Sequence, residues 1–161
     1  MIQAVREANF TAYIETEANR ISTTVTSDQI RHLLKFTNDL DGATFYAYAR
    51  TEVRNERYTL LDFVYTLDSA ADRYLGEVGL IPAGYFKYEA YEISWGGVVS
   101  LTLTTAPFTE KTVLPVLPTN GVVEGLVAIG KLYLGEKAGS EEVQYTEYVA
   151  PTVDNTIYYG Q

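Results

Sequence analysis

The stretch from Gly84 to Glu92, GYFKYEAYE, interleaves aromatic and small residues with charged ones. A period-two pattern of this kind is typical of a β-strand with one face buried. About thirty residues later, Glu124 to Leu132, EGLVAIGKL, is an apolar stretch punctuated by glycines that also favours a strand. Neither stretch contains a set of side chains suited to catalysis. The two together therefore indicate sheet structure before they indicate any chemistry.

The rest of the chain has the same character. It contains 14 tyrosines and is rich in Thr and Val, and long stretches with a 3.6-residue apolar period are hard to find. Short strand candidates separated by turn residues are predicted at residues 10–14, 30–36, 45–49, 58–67, 78–81, 85–93, 98–104 and 126–134. This spacing predicts an all-β chain folded as an immunoglobulin-like or jelly-roll antiparallel β-sandwich.

Two regions depart from the strand pattern. Residues 95–120 contain Pro107, Pro115 and Pro118, and proline cannot donate to a strand ladder, so we expect a projecting hairpin or loop inserted in a sandwich domain of residues 1–135. Residues 136–161 are expected to form a hinge and an extended C-terminal arm. The arm carries tyrosines at a density unusual for a solvated tail, so it is expected to dock on its own domain or on a neighbour.

Composition excludes several classes of function. The chain has 161 residues and no cysteine, which removes disulfides, thiolate metal sites and cysteine nucleophiles. The net charge of -9 and the scattered basic residues argue against binding to nucleic acid. The longest apolar runs are far shorter than the roughly 20 residues that span a bilayer, and the N-terminus does not resemble a signal peptide. We therefore expect synthesis in a cytoplasm, with no membrane and no nucleic acid among the partners.

Catalytic and metal-binding motifs are weak. Gly125 to Lys131 has the spacing of a phosphate loop, but the next residue is Leu132 where Ser or Thr would be needed, and a strand is the better interpretation. Asp39 to Gly42 resembles part of a calcium loop and is better explained as a hairpin turn, although an adventitious calcium site stays open. His32 is the one histidine, interpreted as a strand residue at an edge or surface. No catalytic residue, metal ligand or cofactor is predicted.

Acidic pairs offer a hydrolase as a minor alternative. Asp62 with Asp68, or Glu89 with Glu92, would in principle serve glycoside hydrolysis if the two carboxylates faced each other. Among 21 acidic residues such pairs are expected by chance, and nothing in the sequence brings either pair together.

Trp95 precedes Gly96 and Gly97, a pattern that would suit a stacking platform for a sugar ring or a partner side chain. The competing interpretation, which we prefer, is a tryptophan that caps the sandwich core. The candidate residues for protein interaction are Trp95, Tyr145, Tyr148, Ile157, Tyr158 and Tyr159.

The motifs resemble those of small β-sandwich proteins encoded among the structural genes of tailed phages. In that family an aromatic strand similar to Gly84 to Glu92 precedes a strand similar to Gly125 to Leu132, and Phe36 to Asp39 matches an early Phe-Thr-Asn-Asp strand end. The similarity covers about residues 30–134 and extends to the N-terminal domains of siphophage baseplate proteins. The insertion at 95–120 and the tyrosine-rich tail depart from the shorter members.

The resemblance implies a non-enzymatic virion component, of the capsid decoration or head-fibre type. Its implied partners are other capsid, fibre or tail proteins and further copies of itself, so a homo-oligomer in the virion is expected. The alternative is a carbohydrate-binding or host-adhesion module of a phage tail or baseplate, which would use Trp95 and exposed tyrosines.

Overall fold

Nine β-strands form in the computed structural model, which describes residues 1–137 and 139. The strands are β1 Ile2–Val5, β2 Phe10–Ile14, β3 Ile30–Asn38, β4 Thr44–Tyr48, β5 Thr51–Arg54, β6 Thr59–Tyr65, β7 Glu77–Val78, β8 Gly84–Ser94 and β9 Val122–Gly135. Two short 3-10 turns, Glu17–Asn19 and Ser27–Gln29, are the helical elements within these residues.

The strands form two sheets. The large sheet has the order β1-β9-β8-β3-β4 and is antiparallel except for the parallel pair β1 and β9. The small sheet has the order β2-β6-β5, with the two-residue β7 running parallel to β6. One sheet curls into a half-barrel, and the architecture confirms the predicted all-β sandwich.

The main core lies between the two sheets, as period-two burial dictates. In β3 the side chains of Leu34 and Phe36 point into this core, and in β6 Leu61 and Phe63 do the same. The ring of Phe10 stacks on Phe63 at 5.2 Å between centroids, and Phe36 meets Phe63 edge-on at 5.8 Å. Burying each such side chain contributes roughly 1.5–3 kcal/mol, so this aromatic cluster anchors one sheet on the other.

The two strands quoted first from the sequence, β8 and β9, are paired along almost their whole length. Tyr88 and Gly130 lie opposite each other, and a Cβ added to Gly130 would lie 2.6 Å from the Tyr88 hydroxyl oxygen. The tyrosine ring therefore occupies the space above the glycine. The segment Gly125 to Lys131, whose glycine and lysine spacing matches that of a phosphate loop, is part of β9, as the strand interpretation expected.

Some strand predictions were wrong. Residues 98–104 form no strand: 98–101 are irregular, and a turn begins at Thr102, whose backbone carbonyl accepts hydrogen bonds from the N–H groups of Thr105 and Ala106. Threonine side chains here bond locally, from the Thr105 hydroxyl to the Ser100 carbonyl at 2.8 Å, which competes with strand pairing. The short strands β1 and β5 were missed, since four residues are too few for a clear period.

The segment 95–120, expected as a projecting hairpin or loop, packs in part on the large sheet, where Trp95 and Ala106 are completely buried. The prolines exclude strand pairing there but do not prevent side-chain packing. The predicted hinge and arm, 136–161, fall outside the described residues apart from 136, 137 and 139.

Candidate functional site: an interaction surface

Residues 95–121, which connect β8 to β9, are called the covering loop below. They lie on the outer face of the large sheet, where Leu33 and Ile93 point away from the main core. Together they form a second apolar core, whose fully buried members are Leu33, Tyr48, Ile93, Trp95 and Ala106. The outer face of this part of the sheet is thus a packed layer of the fold.

Close packing at Trp95 depends on a glycine. A Cβ added to Gly121 would lie 2.8 Å from the Trp95 ring and 2.9 Å from both Ile93 and Pro107. Real Cβ atoms do not approach this closely, so only glycine leaves room for the indole.

Hydrogen bonds fasten the covering loop from the sheet side. The Tyr48 hydroxyl, itself buried, donates to the backbone carbonyl of Pro107 at 2.6 Å. The Arg73 guanidinium donates to the carbonyl of Phe108 at 3.0 Å. Burial raises the pKa of Tyr48, which keeps its hydroxyl protonated as a donor. Both bonds satisfy loop carbonyls that no strand partner reaches.

A charged contact fixes the middle of the loop. The Glu110 carboxylate accepts hydrogen bonds from the Lys35 ammonium at 2.7 Å and from the Tyr46 hydroxyl at 2.6 Å. Burial opposes ionisation of Glu110, but the bonds from Lys35 and Tyr46 outweigh it and lower its pKa to about 2. Burial and the same carboxylate raise the pKa of Tyr46 to about 12. The loop is therefore held at its start by Trp95 and near its middle by Glu110.

Four aliphatic side chains of the covering loop are strongly exposed to solvent. Val113 is 93% exposed and Val116 is 96% exposed, and Val98 and Leu103 are 87% and 73% exposed. Single exposed apolar residues are ordinary on protein surfaces, but several on one anchored loop are typical of an interaction site. We take these four side chains, called the apolar loop surface below, as the candidate functional site.

A buried polar cluster of His32, Glu52 and Arg54 joins the two sheets at one end of the sandwich. β4 ends opposite Leu33, and the backbone N–H of His32 donates instead to the Glu52 carboxylate of β5 at 3.1 Å. The same carboxylate lies 2.9 Å from His32 Nδ1 and 2.9 Å from an Arg54 guanidinium nitrogen. Burial disfavours the charged form of Glu52, but His32 and then Arg54 outweigh it and lower its pKa to about 2.

This arrangement corrects the interpretation of His32 as an edge or surface residue. His32 is buried, and its partners are a carboxylate and an arginine with no nucleophile among them. The group is a structural connection between β3 and β5 whose polar atoms satisfy one another.

The acidic pairs have separate partners. Asp62 accepts a hydrogen bond from the Thr11 hydroxyl at 2.6 Å, whereas Asp68 accepts one from the backbone N–H of Ala70 at 2.9 Å. Glu89 lies on the outer face beside Lys87, whereas Glu92 points inward and accepts the backbone N–H groups of Ile21 and Ser22 at 3.1 and 2.7 Å. Within residues 1–137 and 139, no group of three or more His, Cys, Asp or Glu side chains is placed to hold a metal ion. Asp39 to Gly42 forms the turn between β3 and β4, as the hairpin interpretation expected.

Of the candidate interaction residues, only Trp95 lies in the described part of the chain. It is fully buried, which fits a core residue and is incompatible with an exposed stacking platform. Tyr145, Tyr148, Ile157, Tyr158 and Tyr159 lie outside the described residues.

The residues that the sequence interpretation missed are those of the apolar loop surface. A signal was present in the sequence: Val113 and Val116 are apolar residues among prolines, in a segment already excluded from the sheet. The alternation of apolar and polar residues could not identify these side chains, because it identifies only strands.

Comparisons with protein-family models, with curated protein sequences and with solved structures found no match. In the part of the chain that the structure describes, no helix has the length and apolar character required to traverse a bilayer.

Proposed function

We propose that this chain is a non-enzymatic structural component of a tailed-phage virion, of the capsid decoration or head-fibre type, that assembles through protein-protein contacts. The observation that carries the proposal is the apolar loop surface, an exposed set of aliphatic side chains on a loop fixed to the sheet from below.

The covering loop is held in place before it meets a partner. A loop already ordered by Trp95 and Glu110 loses little conformational entropy when it binds, so more of the contact energy contributes to affinity. Burying a Val side chain contributes roughly 1.5–3 kcal/mol, so several together supply the apolar centre of a protein interface. A neighbouring virion protein or a second copy of this chain is the kind of partner that such a surface fits.

The alternative function, a carbohydrate-binding or host-adhesion module, is supported by exposed tyrosine pairs. Tyr85 and Tyr133 on the outer face of the large sheet have ring centroids 5.0 Å apart, and Tyr13 and Tyr58 on the small sheet are 5.5 Å apart. Aromatic faces of this kind can stack on sugar rings. The burial of Trp95 removes the residue on which this alternative first rested.

Mass spectrometry of particles purified from the phage that encodes the chain tests the proposal. The protein should be present with the other structural proteins at a constant copy number, and its absence from complete particles would overturn the proposal. A glycan array distinguishes the two functions, because an adhesion module should bind a defined set of sugars whereas a head protein should bind none.

A further inference from the structure

β9 has an open edge over most of its length. One side pairs with β8 from Val122 to Leu134, but the other side pairs with β1 only from Leu132 to Gly135. Among the residues that the structure describes, no strand lies against this second side from residue 122 to 131. An unpaired strand edge is a template for addition of another strand.

The backbone groups at this edge can be assigned. The carbonyl of Gly135 accepts the N–H of Arg6 on the β1 side, and the carbonyl of Val127 accepts the Asn19 side-chain amide at 2.9 Å. Because backbone groups alternate between the two sides of a strand, Ile129 and Lys131 also direct their N–H and C=O groups to this side. The parallel register that sets Ile2 opposite Leu132 uses the Lys131 carbonyl for the Ile2 N–H, so the N–H and C=O of Ile129 and the N–H of Lys131 are the three groups left for an incoming strand.

A groove follows the same edge. It has a volume of about 440 Å³ and is bounded by Ile14, Glu15, Asn19, Tyr88 and residues 126–129. Two apolar side chains beside it, Leu126 and Ile129, are 44% and 56% exposed. The edge therefore combines free backbone groups with apolar surface that an added strand would bury.

We propose that residues 143–149 of a second copy of this chain, VQYTEYV, add to this edge as a further strand. Every residue type in the segment except Gln and Glu is favoured in strands, and Pro151, two residues after Val149, marks where pairing has to end. Seven extended residues span about 23 Å, which is shorter than the ten-residue stretch, 122–131, that no described strand covers, and the added strand would replace the Asn19 amide at the Val127 carbonyl. The inference rests on the proposed function in that it names one contact between copies in the assembly.

The course of the chain after β9 favours a second copy as the donor. Glu136 pairs with Arg6 at 3.4 Å and Lys137 pairs with Glu7 at 2.8 Å, which directs the chain past the end of β1 and away from the open edge. Val143 can lie at most about 20 Å from Lys137. Lys131 is already about 20 Å back along the strand. For the tail of the same chain to reach the open edge, residues 138–143 would have to reverse direction and pass β1. Their extended length is used up by the distance back to Lys131 alone.

Disulfide trapping tests the proposal in the full chain, which contains no native cysteine. One protein carries Ile129→Cys and another carries one tail cysteine, Val143→Cys, Tyr145→Cys or Glu147→Cys, to cover the possible registers. The proteins are mixed, oxidised mildly and analysed by non-reducing electrophoresis and peptide mass spectrometry. Val53→Cys, exposed on β5 of the other sheet, replaces Ile129→Cys in the matched control.

The proposal expects a mixed disulfide between the two chains for at least one tail position, several-fold more abundant than with the Val53→Cys control. Equal yields from the two acceptors would overturn it. A single chain carrying both cysteines that forms only an internal disulfide at all concentrations would also overturn it, in favour of the chain's own tail. Circular dichroism checks that each variant folds, and finding the protein in particles despite failed trapping would leave the proposed function standing without this contact.

Discussion

The Lys35 ammonium nitrogen lies 2.7 Å from a carboxylate oxygen of Glu110, and this contact joins the interior strand β3 to the covering loop. The two residues are 75 positions apart in the chain. The ion pair makes the loop a layer of the sandwich, so the surface it presents on its other side has a fixed shape.

Changing Glu110 to Gln should weaken the attachment of the loop and alter the dependence of stability on pH. The pKa of Glu110 falls from an ordinary 4.5 to about 2, so its ionised form stabilises the fold above pH 4.5, and this stabilisation is lost as the pH falls towards 2. Urea unfolding from pH 2 to 7 should therefore give a flatter profile for Glu110→Gln than for the wild type. The control is Glu136→Gln, at an exposed surface pair. Parallel profiles for wild type and Glu110→Gln would show that the contact contributes nothing.

Replacing Trp95 with a small residue should lower the stability of the fold. Trp95→Ala leaves a cavity in the second core and should lower the free energy of unfolding by roughly 3–5 kcal/mol. Replacing residues 96–118 with a short Gly-Ser linker should lower the melting temperature by more than roughly 10 °C, because for a domain of this size about 1 kcal/mol corresponds to a few degrees. Differential scanning calorimetry measures both changes. An unchanged midpoint for the linker variant would restore the view of this segment as an independent insertion.

Replacing Glu52 should lower the free energy of unfolding by more than replacing an exposed acidic residue does. Glu52→Ala leaves His32 and Arg54 without their buried carboxylate and should cost roughly 3–5 kcal/mol. Glu52→Gln keeps a hydrogen-bond acceptor and should cost less. Chemical denaturation at pH 7 compares the two variants, and Glu56→Ala in the exposed turn serves as the control. Equal stability of Glu52→Ala and the control would contradict the assigned role.

The glycine beneath Tyr88 offers a test of packing in the main sheet. Gly130→Ala forces the Tyr88 ring to move and should cost roughly 1–3 kcal/mol. Gly96→Ala is the matched control, since its added Cβ would make only ordinary contact with Pro118 at 3.6 Å. Denaturant midpoints of the two variants should differ, and a neutral Gly130→Ala would mean that the ring is loosely held.

Strand alternation made the sheets predictable. Gly84 to Glu92 lies entirely within β8, and Phe10 to Ile14 coincides with β2, because each buries alternate side chains on one face. The position of the covering loop could not be predicted in this way. Its packing depends on single long-range contacts, such as Trp95 against Gly121, that leave no period in the sequence.

The candidate site was hidden for a related reason. The sequence offered Trp95 as a candidate interaction residue, although a core position was the preferred interpretation, and packing buries that residue while it exposes Val113 and Val116. Which side of an irregular loop faces solvent is decided by anchors such as Glu110, whose partner Lys35 is remote in sequence. The pairing of Glu52 with His32 was equally inaccessible, because it joins strands of different sheets.

Quantitative mass spectrometry of purified particles carrying the double variant Val113→Lys and Val116→Lys tests the central claim most directly. Both side chains are almost fully exposed, so the variant should fold as the wild type does while its apolar loop surface is disrupted. Val53→Lys on the small sheet is the control. The account predicts particles that contain the wild type and the control at equal copy number and are depleted of the double variant at least tenfold. Equal copy number of a folded double variant, or the absence of the wild-type protein from complete particles, would contradict it.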